Sequence, residues 1–300
     1  MTTAEQSWPP RTRQVRLYRN IVVDGACNIR CTYCEVKKAK VDQAATIASL
    51  DRIFAEYEPD SVLFRVESDG EITLYRKIVD HLQRRAAEGY RIEVLSNGTK
   101  LPTALAGRPD LLWVFSVDGH TAEMNAKRGL SQQQVDRIID AAVDLGAELQ
   151  SVYWGQPIEQ VNAYIDLLAE RGYRGLLHFM PLLAFKGRPL EVDLRYQDLH
   201  PAEFLAPPEY FRRWNHIFET GTRDAVCDQI TNGYNYQVTG EQIRMVKCDC
   251  YSVPKHLFHA FGAPREYDNW PCGTCIANQE FNNSRSRMQI PQGRIPLPLV

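Results

Sequence analysis

The chain has no long apolar run. Nothing in it approaches the roughly 20 residues that a membrane-spanning helix needs, so no membrane partner is expected. It has no excess of either charge. Its 35 lysines and arginines against 37 aspartates and glutamates leave a net charge of −2. A global basic field of the kind that draws a protein to nucleic acid is therefore missing. Residues 1–16 carry Arg11, Arg13 and Arg16 but no apolar core behind them, so they read as a flexible arm rather than a signal peptide. No repeat and no low-complexity tract is present. The expectation is a cytoplasmic globular protein. Its 300 residues suffice for one large domain, or for a domain of about 200 residues with a smaller one attached.

What the chain does have is cysteine, in clusters. Of eight, three stand as C-x3-C-x2-C at Cys27, Cys31 and Cys34, two as C-x-C at Cys248 and Cys250, and two as C-x2-C at Cys272 and Cys275. Without an export signal, such clustering reads as metal binding rather than as a disulfide framework. The first cluster follows the β-branched run Ile21-Val22-Val23, so three thiolates converge from one loop at a strand end. Structural zinc sites pair C-x2-C knuckles to reach four ligands, and x3-then-x2 does not match that spacing. Three thiolates on a cluster that takes four leave one iron open to an external ligand.

A regular alternation surrounds this loop. Strand-like runs are expected over residues 17–24, 61–66, 91–95, 111–117, 149–154 and 176–180. Helical periods lie between them. Ile47, Leu50, Ile53 and Phe54 form one, with Thr46 as its cap; Ile78, Val79 and Leu82 form the next. Val135, Ile138, Ile139 and Ala142 follow a Ser131 cap, and Ile158, Val161, Ile165 and Leu168 follow Pro157. Six strand–helix units in series predict a parallel sheet, and six rather than eight predicts a partial (β/α)6 TIM-like barrel over residues 17–181. In such barrels chemistry gathers at the C-terminal ends of the strands, where every candidate motif of this half falls.

The cysteine loop, with Tyr33 just before its last cysteine, resembles the signature of the radical S-adenosylmethionine (SAM) enzymes. The resemblance implies a [4Fe–4S] cluster on Cys27, Cys31 and Cys34 whose open iron chelates the amino and carboxylate groups of SAM. It also implies reductive cleavage of SAM to methionine and a 5′-deoxyadenosyl radical that abstracts a substrate hydrogen. Glu67-Ser68-Asp69-Gly70-Glu71 resembles the family's Gly-Gly-Glu motif, with Asp69 in place of the first glycine. Gly70 and Glu71 are thereby implied at the SAM ammonium, where a carboxylate complements a cation. Ser116, in Ser116-Val117-Asp118-Gly119, with Arg128-Gly129 twelve residues on, resembles the S-x-D-G…R-G pattern of the branch that carries extra clusters. There the hydroxyl and the guanidinium fork hold the SAM carboxylate. Ser96 and Asn97 are implied near the ribose and methionine moiety, though Asn97-Gly98 is also a common turn dipeptide. Tyr33 is implied beside the adenine, largely through its backbone. His178 reads first as a core histidine.

From Leu182 the alternation stops. Residues 182–220 read as a linker and helix. Tyr234 to Val246 reads as a hairpin turning at Thr239-Gly240, flanked by Cys227 and Cys248. Cysteine, hairpin, cysteine, long loop and C-x2-C resemble the auxiliary-cluster module called a twitch domain, a shortened relative of the SPASM domain. The resemblance implies a second [4Fe–4S] cluster on Cys227, Cys248, Cys272 and Cys275 in residues 221–285, with 286–300 as a tail. A zinc ribbon on the same thiols is the alternative. Cys250 is then spare. It is either an idle or alternative ligand, or the thiol that returns a hydrogen atom to a substrate radical, as radical SAM epimerases require.

These features predict an enzyme, served by a reductant such as flavodoxin or ferredoxin. The first expectation for its substrate is a ribosomally made peptide that is crosslinked, oxidised or epimerised, because such substrates dominate this branch. That would call for a separate recognition protein or direct peptide binding, since only residues 1–16 precede the barrel. The alternative is oxidation or epimerisation of a small molecule such as an aminocyclitol or sugar. A non-catalytic metal-binding adaptor is the remote reading, and the near-neutral charge and the Ser116/Arg128 pair weigh against it.

Overall fold

The expected alternation forms. In the computed structural model, which describes residues 17–34, 39–100, 111–181, 194, 196–205 and 234–246, strands and helices follow one another through Pro181. They are β1 (Leu17–Val23), α1 (Gln43–Phe54), β2 (Val62–Ser68), α2 (Arg76–Ala87), β3 (Arg91–Ser96), β4 (Leu111–Ser116), α3 (Gln132–Leu145), β5 (Glu148–Tyr153), α4 (Ile158–Glu170) and β6 (Leu177–Pro181). The hairpin strands β7 (Tyr234–Thr239) and β8 (Gln242–Val246) complete them.

Local chemistry sets the boundaries. Ser131 caps α3 through a reciprocal box with Gln134, and Gly146 ends it at φ 61°, a left-handed conformation that glycine adopts without a steric penalty. Helix α1 begins earlier than its apolar period suggests. Its cap is Asp42, which accepts from the amides of Ala44 and Ala45, while Thr46 is buried inside the helix. The first turn, Gln43-Ala44-Ala45, carries no large apolar residue, so periodicity alone misses it.

The strands form one open sheet in the order β6-β5-β4-β3-β2-β1-β7-β8. The six strands β1 to β6 are parallel, as expected of a partial barrel. The hairpin expected in the auxiliary region extends this same sheet: β7 runs parallel to β1 with Arg19 opposite Tyr234 and Val23 opposite Val238, and β8 folds back antiparallel. It is fastened to α1 by Ser49 Oγ donating to the Gly240 carbonyl at 2.7 Å, and to the turn after α1 by Tyr236, whose hydroxyl meets Tyr57 at 2.7 Å and Glu56 at 2.9 Å.

The register divides the sheet into two unlike faces. Ile21, Phe64, Val66, Ile92, Val94, Trp113, Phe115, Leu149 and Phe179 belong to the main apolar core. Phe54 of α1 meets Phe64 edge-on at 4.9 Å, which places the helices on this side. Truncating such a ring to alanine costs about 3–5 kcal/mol. The opposite face carries Asn20, Arg65, Glu93, Glu148, Gln150 and His178, all inside the sheet's concavity. The loops described next leave from the C-terminal ends of these strands. No helix among the described residues is long and apolar enough to cross a membrane.

Candidate active site

The loop after β1 carries Cys27 and Cys31, both half-buried, and the exposed Cys34. The thiols sense one another. Burial raises the Cys31 thiol above the usual range; Arg128 pulls it down, and Cys34, Asp118 and Cys27 push it up. Cys34 is likewise raised, first by burial and then by Cys27. Three thiols from one loop suit a cluster that needs three thiolates. Among the described residues no three Cys, His, Asp or Glu side chains gather tightly enough for a single metal ion. A four-iron cube asks for a different arrangement, with each thiolate on its own iron.

The second loop docks against the first, backbone to backbone. Asp69 N donates to Val23 O at 2.9 Å and Glu71 N to Ala26 O at 2.8 Å. Glu71 is almost fully buried, and four donors engage its carboxylate. They are Thr73 N at 3.0 Å, Thr73 Oγ1 at 2.6 Å, Ser96 Oγ at 2.7 Å and Asn97 N at 2.6 Å. Three of these donors meet Oε1 and one meets Oε2, so Glu71 braces the second loop against the third. Asp69 is the exposed residue of this loop, and Gly70 beside it is half-buried.

Asn97 reaches back from the third loop to the first. Its Nδ2 donates to Asn28 Oδ1 at 2.9 Å and points to Cys27 Sγ at 3.7 Å. Asn28 returns the contact through Nδ2 to Thr99 Oγ1 at 2.7 Å. Ser96 is spent on Glu71 and on the amide of Gly98, which it accepts at 3.0 Å.

Ser116 and Arg128 meet this assembly from the fourth loop. Ser116 is opposite Gln150 in the sheet register and half-buried on the concave face. Arg128 is buried, with Nε donating to Asp118 Oδ1 at 2.7 Å and its guanidinium 5.6 Å from the centre of the Tyr33 ring. Burial alone would lower the guanidinium, but Asp118, Tyr33 and Cys31 together carry it above its usual range, so it stays charged. Tyr33 itself donates to Asp118 Oδ2 at 3.0 Å. The main chain closes the same gap, with Thr32 N donating to Lys127 O at 2.7 Å. Cys27, Cys31, Cys34, Tyr33, Gly70, Glu71, Ser96, Asn97, Ser116 and Arg128 thus belong to four adjoining loops at one end of the sheet. Asp118 was visible in the sequence as the third residue of Ser116-Val117-Asp118-Gly119, but nothing there singled it out as a hub. His178 lies within the sheet, fully buried and 3.3 Å from Glu148. Cys227, Cys248, Cys250, Cys272 and Cys275 lie outside the described residues.

No family model matches the chain. Its fold resembles SuiB of Streptococcus suis, with a TM-score of 0.57 at 13% identity over 79% of this chain. The same protein bound to S-adenosylmethionine gives 0.55 at 12% identity over 78%. The chain spans about three fifths of SuiB, 61% and 58% of the two chains. The chain shares with these structures an open parallel partial barrel, here with the three-cysteine loop at its strand ends. It is 85% identical over 298 residues, 99% of this chain and 100% of the relative, to neomycin C epimerase of Streptomyces fradiae. The chain belongs to the neomycin C epimerase family.

Proposed function

We propose that the protein is a radical SAM epimerase of an aminocyclitol- or sugar-type small molecule, with neomycin C as the first substrate to test. The observation that carries this reading is 85% identity, over the full length of the relative, to an enzyme named for epimerising neomycin C. The geometry agrees with it in kind. A three-thiol loop, a buried arginine with an open fork and a half-buried serine stand together at the strand ends. The peptide expected first from the sequence finds no support in that relative and gives way to the small-molecule alternative. It had rested on how common peptide substrates are in the branch, not on any residue.

In this reading Cys27, Cys31 and Cys34 hold the [4Fe–4S] cluster, and Ser116 and Arg128 receive the SAM carboxylate. Gly70 offers its backbone to the SAM ammonium, Glu71 fixes that backbone, and Tyr33 lies beside the adenine. When bound, cluster and SAM supply a 5′-deoxyadenosyl radical, which takes one hydrogen atom from the substrate and leaves as 5′-deoxyadenosine. Epimerisation then requires a hydrogen atom delivered to the opposite face. Cys250 gives it, and the sulfur radical left behind takes an electron from the external reductant and a proton from water. Cys227, Cys248, Cys272 and Cys275 would hold a second cluster of the twitch type.

Anaerobic turnover tests the reading. Reconstituted protein with SAM, a reductant and neomycin C is expected to form 5′-deoxyadenosine and an isomer of unchanged mass. In heavy water the isomer should gain one deuterium. A protein that cleaves SAM but returns neomycin C unaltered would redirect the substrate assignment, and one that never forms 5′-deoxyadenosine would end the radical SAM reading.

A further inference from the structure

Asp118 joins parts of the site that the chain leaves far apart. Its Oδ1 accepts from Arg128 Nε at 2.7 Å and from Val152 N of β5 at 3.0 Å, while its Oδ2 accepts from Tyr33 of the cysteine loop at 3.0 Å. Its backbone is pinned as well: Asp118 N donates to Asn125 Oδ1 at 2.8 Å, and Asn125 Nδ2 donates to Gly119 O at 2.8 Å. The carboxylate is fully buried and the arginine side chain nearly so, at 0% and 7% exposure. A buried guanidinium in this setting has few orientations open to it. Asp118 takes Nε, and the two terminal nitrogens of Arg128, which form the end edge of the fork, make no hydrogen bond to the described residues. That edge fits a carboxylate in two-pronged fashion.

We infer that Asp118 is the positioning residue of the SAM site, aiming the Arg128 fork and holding it in register with the cysteine loop through Tyr33. The inference rests on Arg128 as the SAM carboxylate contact. Through one rigid carboxylate, the place where the SAM carboxylate is gripped and the loop that holds the open iron share a single reference point. Outer partners of this kind typically change ligand affinity or activity by about 10–100-fold when removed.

Asp118→Asn keeps the shape and removes the charge. In cluster-loaded full-length protein it is expected to retain its iron and its visible absorption. It should bind SAM about 10–100-fold more weakly and lose the change that SAM makes in the electron paramagnetic resonance (EPR) spectrum of the reduced cluster. Arg128→Lys, which keeps the charge and loses the fork, is expected to weaken SAM binding similarly. The double variant should be little worse than Arg128→Lys alone, because Asp118 acts through Arg128. Wild-type SAM affinity in Asp118→Asn, or fully multiplicative losses in the double variant, would overturn the inference. Wild-type affinity in Arg128→Lys would instead remove Arg128 from the SAM site and with it the underlying reading. If Asp118→Asn yields no folded protein, Tyr33→Phe tests the other oxygen. It should shift the SAM-dependent EPR signal with iron content intact, and an unchanged signal and affinity would overturn the link to the loop.

Discussion

A methyl group placed on Gly70 would lie 2.2 Å from the carbonyl oxygen of Ala26. The glycine is therefore what lets the second loop lie flat on the base of the cysteine loop, where Glu71 N takes that same carbonyl. The contact is with backbone and cannot be relieved by turning a side chain. Gly70→Ala is expected to cost about 1–3 kcal/mol, the range for an overpacked site. It should also displace the three thiols. Activity should fall by about 100-fold, the usual effect of a misplacement near 1 Å, with incomplete iron incorporation and a lowered melting temperature. Full iron loading at wild-type melting temperature would show that the two loops do not depend on this contact.

Asn97 Nδ2 lies 3.7 Å from Cys27 Sγ, close enough to donate to that sulfur as a ligand of the proposed cluster. A donor at a ligand sulfur favours the more negative, reduced cluster and so raises its potential. Asn97→Ala removes the donor. If the bond contributes about 0.5–1.5 kcal/mol, the potential should fall by about 20–60 mV for a one-electron couple. A redox titration followed by EPR measures this directly, and a potential that stays in place or rises would remove Asn97 from the tuning of the cluster.

The local features of the fold were open to reading because each is written in a few neighbouring residues. The cysteine spacing, the Ser131 cap and the six alternating units needed no distant partner to be recognised. What stayed hidden depends on pairing across the chain. Strand β7 lies beside β1, although more than two hundred residues separate Arg19 from its partner Tyr234; a hairpin signal says only that two strands meet each other. Glu71 resembles a SAM contact in the sequence, and only the folded loops show that its carboxylate also takes donors from Thr73, Ser96 and Asn97. Asp118 is one buried acid among many until Tyr33 and Arg128 close on it. The proposed substrate was the least legible of all, since it rests on a relative's name and on no short motif of this chain.

Below the site, the concave face holds a buried pair with a pH signature. Burial pushes Glu148 up to about 8 from an ordinary 4.5, only partly offset by Arg65, and pushes His178 down to about 3 from 6.5, with Arg65 adding to the shift. Their 3.3 Å contact is therefore between a neutral acid and a neutral imidazole near pH 7. Between pH 4.5 and 8 the folded protein holds a proton on Glu148 that the unfolded chain has released, so this group destabilises progressively as pH rises through that window. His178 acts oppositely between pH 3 and 6.5, where the unfolded chain binds the extra proton, and the two slopes cancel from 4.5 to 6.5. Glu148→Gln is uncharged at every pH. Its melting temperature relative to the wild type is expected to climb between pH 4.5 and 8, by up to about 1.4 kcal/mol of stability per unit, and then level. A constant difference across that range would mean that Glu148 is ionised throughout.

Cys248 and Cys250 stand two residues apart, and the proposed chemistry gives them opposite fates. A cluster ligand and a hydrogen donor fail differently when replaced. Cys248→Ala should lose iron, as Cys227→Ala, Cys272→Ala and Cys275→Ala should, because removing one of four thiolates opens the second cluster. Cys250→Ala should keep full iron and still form 5′-deoxyadenosine, since hydrogen abstraction precedes the donor's step. It should stop short of the epimer, and in heavy water the recovered sugar should carry no deuterium at the inverted carbon. If the iron losses fall on Cys250→Ala and the stalled turnover on Cys248→Ala, the two roles are exchanged. If Cys250→Ala makes deuterated epimer at the wild-type rate, the hydrogen comes from elsewhere and no thiol of this pair delivers it.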